Sequence, residues 1–377
     1  MKPVVLLDAT SVPSDSGGVG RYLNELIPAL DVEGDVELHV VCQARDVPRL
    51  ARAAPGVTLH EAPRLTASVP WRLVWEQVGL PVLARRLRAD VVHSPHYTMP
   101  LLLRRPSVVT LHDATFFSHP DLHGRLKGPF FRWWIRRSLR GAAVCIAPSQ
   151  ATADEAERWA GRPSGEIVVS YHGVDLDRFT PAARRGEADM RSRLGLGSEG
   201  YLAFVGTVEP RKNVPALLDA VVELDAGRGP VRLFLAGGPG WDDDAVRRLS
   251  QPPADAPFRW LGYVDEDLLP AFLASADLVA YPSEGEGFGL PVLEAMAAGV
   301  PVVTTDRLAV PEVGGDAVVY AEPTCEGLVD AIGGLLDDPR RRRAIGEAGR
   351  ARAETFTWAR AAREHGDAYR RASRRTR

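Results

Sequence analysis

The chain has 377 residues, 45% of them hydrophobic and 25% charged, with 46 Lys and Arg against 49 Asp and Glu. That is the make-up of a globular protein with room for two domains, and it excludes a disordered, collagenous or fibrous chain. No apolar run approaches the roughly 18 residues of a membrane-spanning helix, and the N-terminal stretch 4–7 is cut by Asp8 before it reaches the length of a secretory signal. Cys42, Cys145 and Cys325 are too scattered for a disulfide framework or a CxxC metal site, so a cytoplasmic location is expected. Residues 64–140 hold 13 basic and 4 acidic side chains, so one face of the N-terminal half is expected to meet an anionic surface or acceptor. Nucleic acid is not the expected partner, because no base-reading motif accompanies the charge.

Along the chain, the apolar run 4–8 is followed by a glycine-rich loop, Gly17-Gly18-Val19-Gly20, and then by Tyr22, Leu23, Leu26, Ile27 and Leu30 at helical spacing. Buried strands are expected at 36–41, 91–93, 108–111, 144–147 and 167–170. Residues 171–193 lose the period and read as a linker. Strands resume at 201–205, 231–236, 258–261, 278–281 and 300–304, separated by helices such as 214–225 and 266–274. Near-continuous apolar strands alternating with helices indicate parallel sheets covered on both faces. The expected fold is therefore α/β, two doubly wound Rossmann-like domains at 1–180 and 181–355, with their ligand-binding strand ends facing a central cleft. The tail 356–377 has helical spacing (Trp358, Ala361, Ala362, Tyr369) and is expected to cross back to the N-terminal domain.

The strongest local signal is Ser283-Glu284-Gly285-Glu286-Gly287-Phe288-Gly289-Leu290-Pro291-Val292-Leu293-Glu294. The glycines free the backbone to turn, and Pro291 suits a helix start because its missing N–H is not needed there. The amides of Phe288, Gly289 and Leu290 would then face an anion at the positive end of a helix. Glu286 and Glu294 frame that site, and carboxylates take paired hydroxyl donors well, as on a sugar ring or a ribose. The plainer reading of both is complementation of the helix dipole, which does not require the intervening Gly-Phe-Gly-Leu-Pro.

This E-x7-E segment, continued by Gly299-Val300-Pro301, closely resembles the retaining glycosyltransferases of family 4, which have the GT-B fold. The likeness extends over nearly the whole chain. It includes Ser16-Gly17-Gly18-Val19-Gly20-Arg21-Tyr22, Thr110-Leu111-His112-Asp113, Pro148-Ser149-Gln150, His172-Gly173-Val174-Asp175, Glu209-Pro210-Arg211-Lys212-Asn213 and Leu261-Gly262-Tyr263-Val264. The resemblance implies that Arg211 and Lys212 neutralise the donor diphosphate, where fixed cations suit a leaving group that gains charge. It implies that Glu286 holds the sugar hydroxyls, Glu294 the ribose, and that His112 contacts the transferred sugar. Asp113 would orient His112 or the acceptor. Gly17, Gly18 and Gly206 would let backbone approach the diphosphate, and Tyr263-Val264 would read the base through main-chain contacts. One departure is Gly206-Thr207, where many relatives carry Gly-Arg, so that arginine's role falls to Arg211 or is absent.

Three features compete with this reading. Asp175-Leu176-Asp177 spells a DxD but reads as turn chemistry, and His93-Ser94-Pro95-His96 lacks a third ligand for zinc; with Arg211 and Lys212 available, a metal-independent enzyme is expected. Residues 125–140 alternate Phe130, Phe131, Trp133 and Trp134 with arginines, and fit either a packed helix or one lying on a membrane surface. The expected function is transfer of a hexose, mannose in first place, from a GDP- or UDP-linked donor to a glycan or lipid-linked acceptor. No cofactor beyond that nucleotide-sugar co-substrate is expected, and peripheral contact with the cytoplasmic face of the membrane stays open. Alternatives are a nucleotide-sugar 2-epimerase of the same fold and a non-catalytic sugar-nucleotide-binding protein.

Overall fold

The computed structural model describes residues 2–12, 17–120 and 127–375. Ser16 of the glycine-rich motif and Arg125 of the aromatic–arginine segment lie outside the described residues. The chain divides into two compact units, Met1–Gly173 with Thr357–Arg377, and Val174–Phe356.

The first unit is built on β1 (Val4–Asp8), β2 (Glu37–Cys42), β3 (Thr58–Glu61), β4 (Val91–Ser94), β5 (Ser107–Thr110), β6 (Val144–Ala147) and β7 (Glu166–Val169). They form a parallel sheet in the order β3-β2-β1-β4-β5-β6-β7. The second unit holds β8 (Leu202–Val205), β9 (Leu233–Ala236), β10 (Phe258–Gly262), β11 (Leu278–Tyr281), β12 (Val302–Thr304) and β13 (Val319–Tyr320), in the order β10-β9-β8-β11-β12-β13. Each sheet reverses its winding once, between β1 and β4 in the first and between β8 and β11 in the second. Such a switch point leaves a crevice beyond the C-terminal strand ends, where doubly wound sheets bind ligands.

The expected strands are present with small displacements of their ends. The two that sequence patterning misses are β3, a half-exposed edge strand, and the two-residue β13. The glycine-rich segment is not a loop throughout: the helix Gly18–Glu33 begins at Gly18, with Gly17 as its N-cap. Burial of Tyr22, Leu23, Leu26, Ile27 and Leu30 against the sheet outweighs the poor helix propensity of Gly18 and Gly20, since tertiary packing supplies most helical stability. The expected linker also needs correction. The crossing between units falls at Gly173, where an added Cβ would sit 2.2 Å from the Trp358 backbone nitrogen, and not at residue 180. Pro181–Gly186 forms a 3-10 turn and Glu187–Leu194 a helix, both belonging to the second unit.

After the second unit, the helix Trp358–Arg374 rejoins the first, its start capped by Thr357. Its Trp358, Ala361, Ala362, Ala368 and Tyr369 enter the core cluster with Tyr22, Leu26 and Val40. Ion pairs to Glu33, Asp35 and Glu166 line its exposed side.

A buried polar chain fastens this helix more tightly. His365 Nδ1 lies 2.7 Å from the Ala361 carbonyl oxygen, so that nitrogen carries the proton and Nε2 accepts from the Tyr22 hydroxyl at 2.7 Å. Tyr22 in turn lies 3.1 Å from Thr110 Oγ1, Thr110 lies 2.8 Å from His93 Nε2, and His93 Nδ1 lies 2.8 Å from the Tyr369 hydroxyl. One orientation uses every donor once: Tyr369 to His93, His93 to Thr110, Thr110 to Tyr22, and Tyr22 to His365.

Both imidazoles are thereby neutral. Burial pushes His93 well below its ordinary range and His365 down to about 4. Below about pH 6.5 both imidazoles take up protons in the unfolded chain, whereas in the folded chain His365 does so only near pH 4 and His93 is held well below its ordinary range. The contribution of these two imidazoles to stability is therefore expected to be full above about pH 6.5 and to fall progressively as the pH drops towards 4. Thermal melting against pH checks this, and His365→Gln should melt lower at pH 7 but with a shallower fall.

Candidate active site

In the second unit the loops after β8 and β11 meet at the switch point. Gly206 ends β8 with φ +155°, and a Cβ there would lie 2.5 Å from Lys212 Nζ, so only glycine lets the lysine lie against the strand end. The turn Pro210–Lys212 then presents Arg211 and Lys212. From the other loop, Glu284 N donates to the Arg211 carbonyl oxygen at 2.8 Å, which ties the two loops together.

The side chains form one charged cluster. Arg211 Nη1 lies 2.6 Å from Glu286 Oε2 and also donates to the Gly285 carbonyl, while Nη2 donates to Glu209 Oε1 at 2.6 Å. Lys212 Nζ lies 3.8 Å from the same Glu209 oxygen. Glu286 Oε1 accepts from the Tyr281 and Ser283 hydroxyls at 2.8 and 2.9 Å. Burial would raise the Glu286 carboxyl, but Arg211, Lys212 and these donors hold it below its ordinary value. Burial lowers the Lys212 ammonium, partly offset by Glu209 and Glu286. The result is two cations, Arg211 and Lys212, fixed against two carboxylates, Glu209 and an ionised Glu286, in a nearly buried cluster where charges act more strongly than in water.

Beside it, Gly289 caps the helix Leu290–Ala297 in the left-handed conformation, φ +97°. Leu290 is the first helical residue and Pro291 the second, one place later than expected for the proline. The amides of Gly289 and Leu290 donate to no protein group among the described residues, as the first turn of a helix leaves them. Phe288 is buried with its ring near Phe356, and Glu294 is buried in the body of the helix. At the end of β10, Gly262 has φ +68°, Tyr263 is exposed and Val264 buried.

In the first unit, His112 follows β5. Its Nε2 donates to the Pro95 carbonyl at 2.6 Å, which leaves Nδ1 as the unprotonated nitrogen. Burial lowers its basicity, opposed by that hydrogen bond and by Asp113, so the ring is neutral. Tyr22 meets it edge-on with ring centres 5.2 Å apart, and Tyr97, His96 and His172 surround it. Asp113 is committed locally: Oδ1 accepts from Thr115 N and Oγ1, just ahead of the short helix Thr115–Ser118. Gly17 and Gly18 lie at the start of the helix that carries Tyr22.

The structure thus brings Gly206, Arg211, Lys212 and Glu286 together, with Gly289 and Leu290 in the same β11 loop, and places His112, Asp113, Gly17 and Gly18 in the other unit. Sequence reasoning missed Glu209, Tyr281 and Ser283, which orient the cluster; the available signal was a carboxylate two residues before Arg211. Asp175 behaves as a turn cap, accepting from Asp177 N and Arg178 N. Among the described residues, no group of three or more His, Cys, Asp or Glu is placed to hold a metal, and no helix is long and apolar enough to cross a membrane.

Comparison with known proteins agrees with this arrangement. Residues 16–178 match the family described as Glycosyltransferase Family 4, and residues 187–352 match Glycosyl transferases group 1. O-antigen chain mannosyltransferase B of Escherichia coli is 30% identical over 362 residues, covering 90% of this chain and 92% of that protein. A D-inositol 3-phosphate glycosyltransferase of Segniliparus rotundus is 31% identical over 383 residues, 91% of this chain and 82% of the relative. Anabaena Alr3699/HepE, solved with UDP and glucose, shares the fold at a TM-score of 0.75 and 20% identity, over 97% of this chain and 98% of the other. With a relative of that identity along nearly its full length and a family match on each half, the chain belongs to the glycosyltransferases of the group 1 and family 4 type, enzymes of the GT-B fold.

Proposed function

We propose that this glycosyltransferase is a retaining, metal-independent hexosyltransferase that moves a hexose, mannose in first place, from a GDP- or UDP-linked donor to a glycan or lipid-linked acceptor. The observation that carries the reading is the junction of Arg211, Lys212 and Glu286 at the second switch point, a cation pair beside an ionised carboxylate. In it, Arg211 and Lys212 take the diphosphate, helped by the Phe288, Gly289 and Leu290 amides, with Gly206, Gly17 and Gly18 permitting close backbone approach. Glu286 holds sugar hydroxyls, Glu294 the ribose, His112 the transferred sugar, with Asp113 beside it, and the Tyr263-Val264 main chain the base. The relative named for mannosyl transfer supports mannose.

The chemistry follows from those charges. The bond from the sugar C1 to the phosphate oxygen breaks, and the acceptor hydroxyl adds to C1 on the same face. Its proton passes to the departing phosphate, whose growing charge Arg211 and Lys212 stabilise without reorganisation. Fixed donors and cations perform this task with no covalent enzyme intermediate.

Peripheral membrane contact is supported by the N-terminal unit. The helix Lys127–Gly141 buries Phe131, Trp134, Ile135 and Leu139 yet exposes Phe130 and Trp133, so it is packed and amphipathic at once. Trp71, Val74, Val78 and Val82 form an exposed apolar row on the helix Val69–Arg86. Nearby Arg104, Arg105, Arg137, Arg140 and Arg375 line one cavity of ≈ 440 Å³. Apolar rows with arginines beside them suit an anionic lipid surface.

The test is a screen of GDP- and UDP-sugars for nucleotide release, with and without EDTA, followed by NMR of the product anomer. Turnover of one donor, insensitive to EDTA and giving the donor's anomeric configuration, is expected. Conversion of the donor sugar to its C2 epimer without acceptor, or no turnover of any donor, would overturn the reading.

A further inference from the structure

The charged cluster of the second unit is electrically balanced. Arg211 and Lys212 bring two positive charges, Glu209 and Glu286 two negative ones, and all four side chains are nearly buried. A diphosphate approaching this cluster meets a net charge of zero, with a carboxylate already against each cation. Like charges crowded into one buried site repel strongly, so one of the carboxylates has to give way.

The two are held differently. Glu286 Oε1 accepts from the Tyr281 and Ser283 hydroxyls at 2.8 and 2.9 Å, so its own loop fixes it apart from Arg211. Glu209 Oε1 lies 2.6 Å from Arg211 Nη2 and 3.8 Å from Lys212 Nζ. Among the described residues, no hydroxyl or backbone amide donates to either oxygen of the Glu209 carboxylate. The two cations alone hold it. One oxygen shared by a guanidinium and an ammonium stands where a phosphate oxygen bridging the same pair would lie.

Arg211 keeps its aim without this contact. Its Nη1 is fixed by Glu286 Oε2 at 2.6 Å and by the Gly285 carbonyl. The turn Pro210–Lys212 is tied to the other loop through Glu284 N, and Glu209 precedes that turn as its cap residue. The carboxylate can therefore leave by rotation about the Glu209 side-chain bonds, with the turn left in place.

We infer that Glu209 is a built-in counter-ion that competes with the diphosphate for Arg211 and Lys212. It thereby keeps the affinity for a nucleoside diphosphate below what the two cations alone would give, which favours release of that product. The inference rests on the proposal that these cations take the diphosphate. Its sign is opposite to that of a plain positioning role, in which loss of Glu209 would weaken binding.

Isothermal titration calorimetry of the full-length protein with GDP and with UDP tests it. Glu209→Gln keeps the length of the side chain and one oxygen for Arg211 but removes the charge. It is expected to tighten the bound nucleoside diphosphate by about tenfold, and to lower the constant for its inhibition of the donor by a similar factor. Should that variant fail to fold, the wild-type protein decides alone: in a crystal structure with the nucleotide bound, the Glu209 carboxylate is expected beyond ion-pair distance of Arg211. Unchanged or weaker binding by folded Glu209→Gln overturns the inference, as does a diphosphate bound on both cations with Glu209 still paired to Arg211. Either result leaves the transferase reading standing. Failure of both nucleotides to bind to either protein, or binding away from Arg211 and Lys212, overturns the inference together with the reading beneath it.

Discussion

Replacing Arg211 with alanine is expected to cut sugar transfer by about 10²–10³ and to destabilise the protein by about 3–5 kcal/mol. Two separate tasks are lost at once. In the proposed reaction, the guanidinium is one of two cations that take the departing diphosphate. In the fold, it bridges Glu209, Glu286 and the Gly285 carbonyl. Its side chain is 16% exposed and those of its two carboxylate partners 10% and 11%, so truncation takes the nearest cation from two nearly buried carboxylates, leaving Glu209 the more distant Lys212 and Glu286 its hydroxyl donors. Arg211→Lys keeps one charge but cannot reach three acceptors from one atom, and should recover stability only in part. Urea melts with steady-state kinetics on the same samples separate the two effects. An alanine variant that melts like the wild type would show that Arg211 does not hold the loops.

Glu286→Gln should lower kcat by about 10²–10³ and also destabilise the loop. The amide oxygen can still accept from Tyr281 and Ser283, but the amide nitrogen in place of Oε2 would face the Arg211 guanidinium, donor against donor. What disappears is the negative charge that, in the proposed reaction, offers sugar hydroxyls a strong acceptor. The KM for the nucleotide sugar should move only a few-fold, because Arg211 and Lys212, the cations proposed to hold the diphosphate, remain. A large rise in KM with kcat unchanged would mean that Glu286 binds donor uniformly and takes no part in the transition state. The same carboxyl also links stability to acidity. Held below its ordinary value, it contributes stability above the unfolded carboxyl range and loses it as pH falls through the folded value.

The parts of the molecule legible from the chain are those set by local patterns. Apolar runs announced the strands, and Glu286, Gly289 and Pro291 announced a loop turning into a helix, because each requirement is met by residues within a few positions. Legibility failed where partners are distant. Tyr22, His93, Thr110, His365 and Tyr369 form one hydrogen-bonded chain across nearly the whole sequence, and no local period announces it. Glu76 reads as an ordinary polar position on a helix; only the strand order, which sets β4 beside β1, shows it facing Asp8 and Ser94. Gly18 and Gly20 misled in the opposite sense, since their turn-like identity is overruled by the buried face of the helix they open.

The return of the last helix to the first unit has a consequence for biosynthesis. Tyr22 and His93 leave the ribosome early, but His365 and Tyr369 emerge only after the whole intervening unit has been made. At cellular elongation rates that delay is roughly 10–40 s, during which the first sheet stands with an uncovered apolar flank and unanswered imidazoles. The nascent first half is then a natural client for a holdase, and a message cut short before Trp358 would yield a protein whose second unit is complete and whose first never closes.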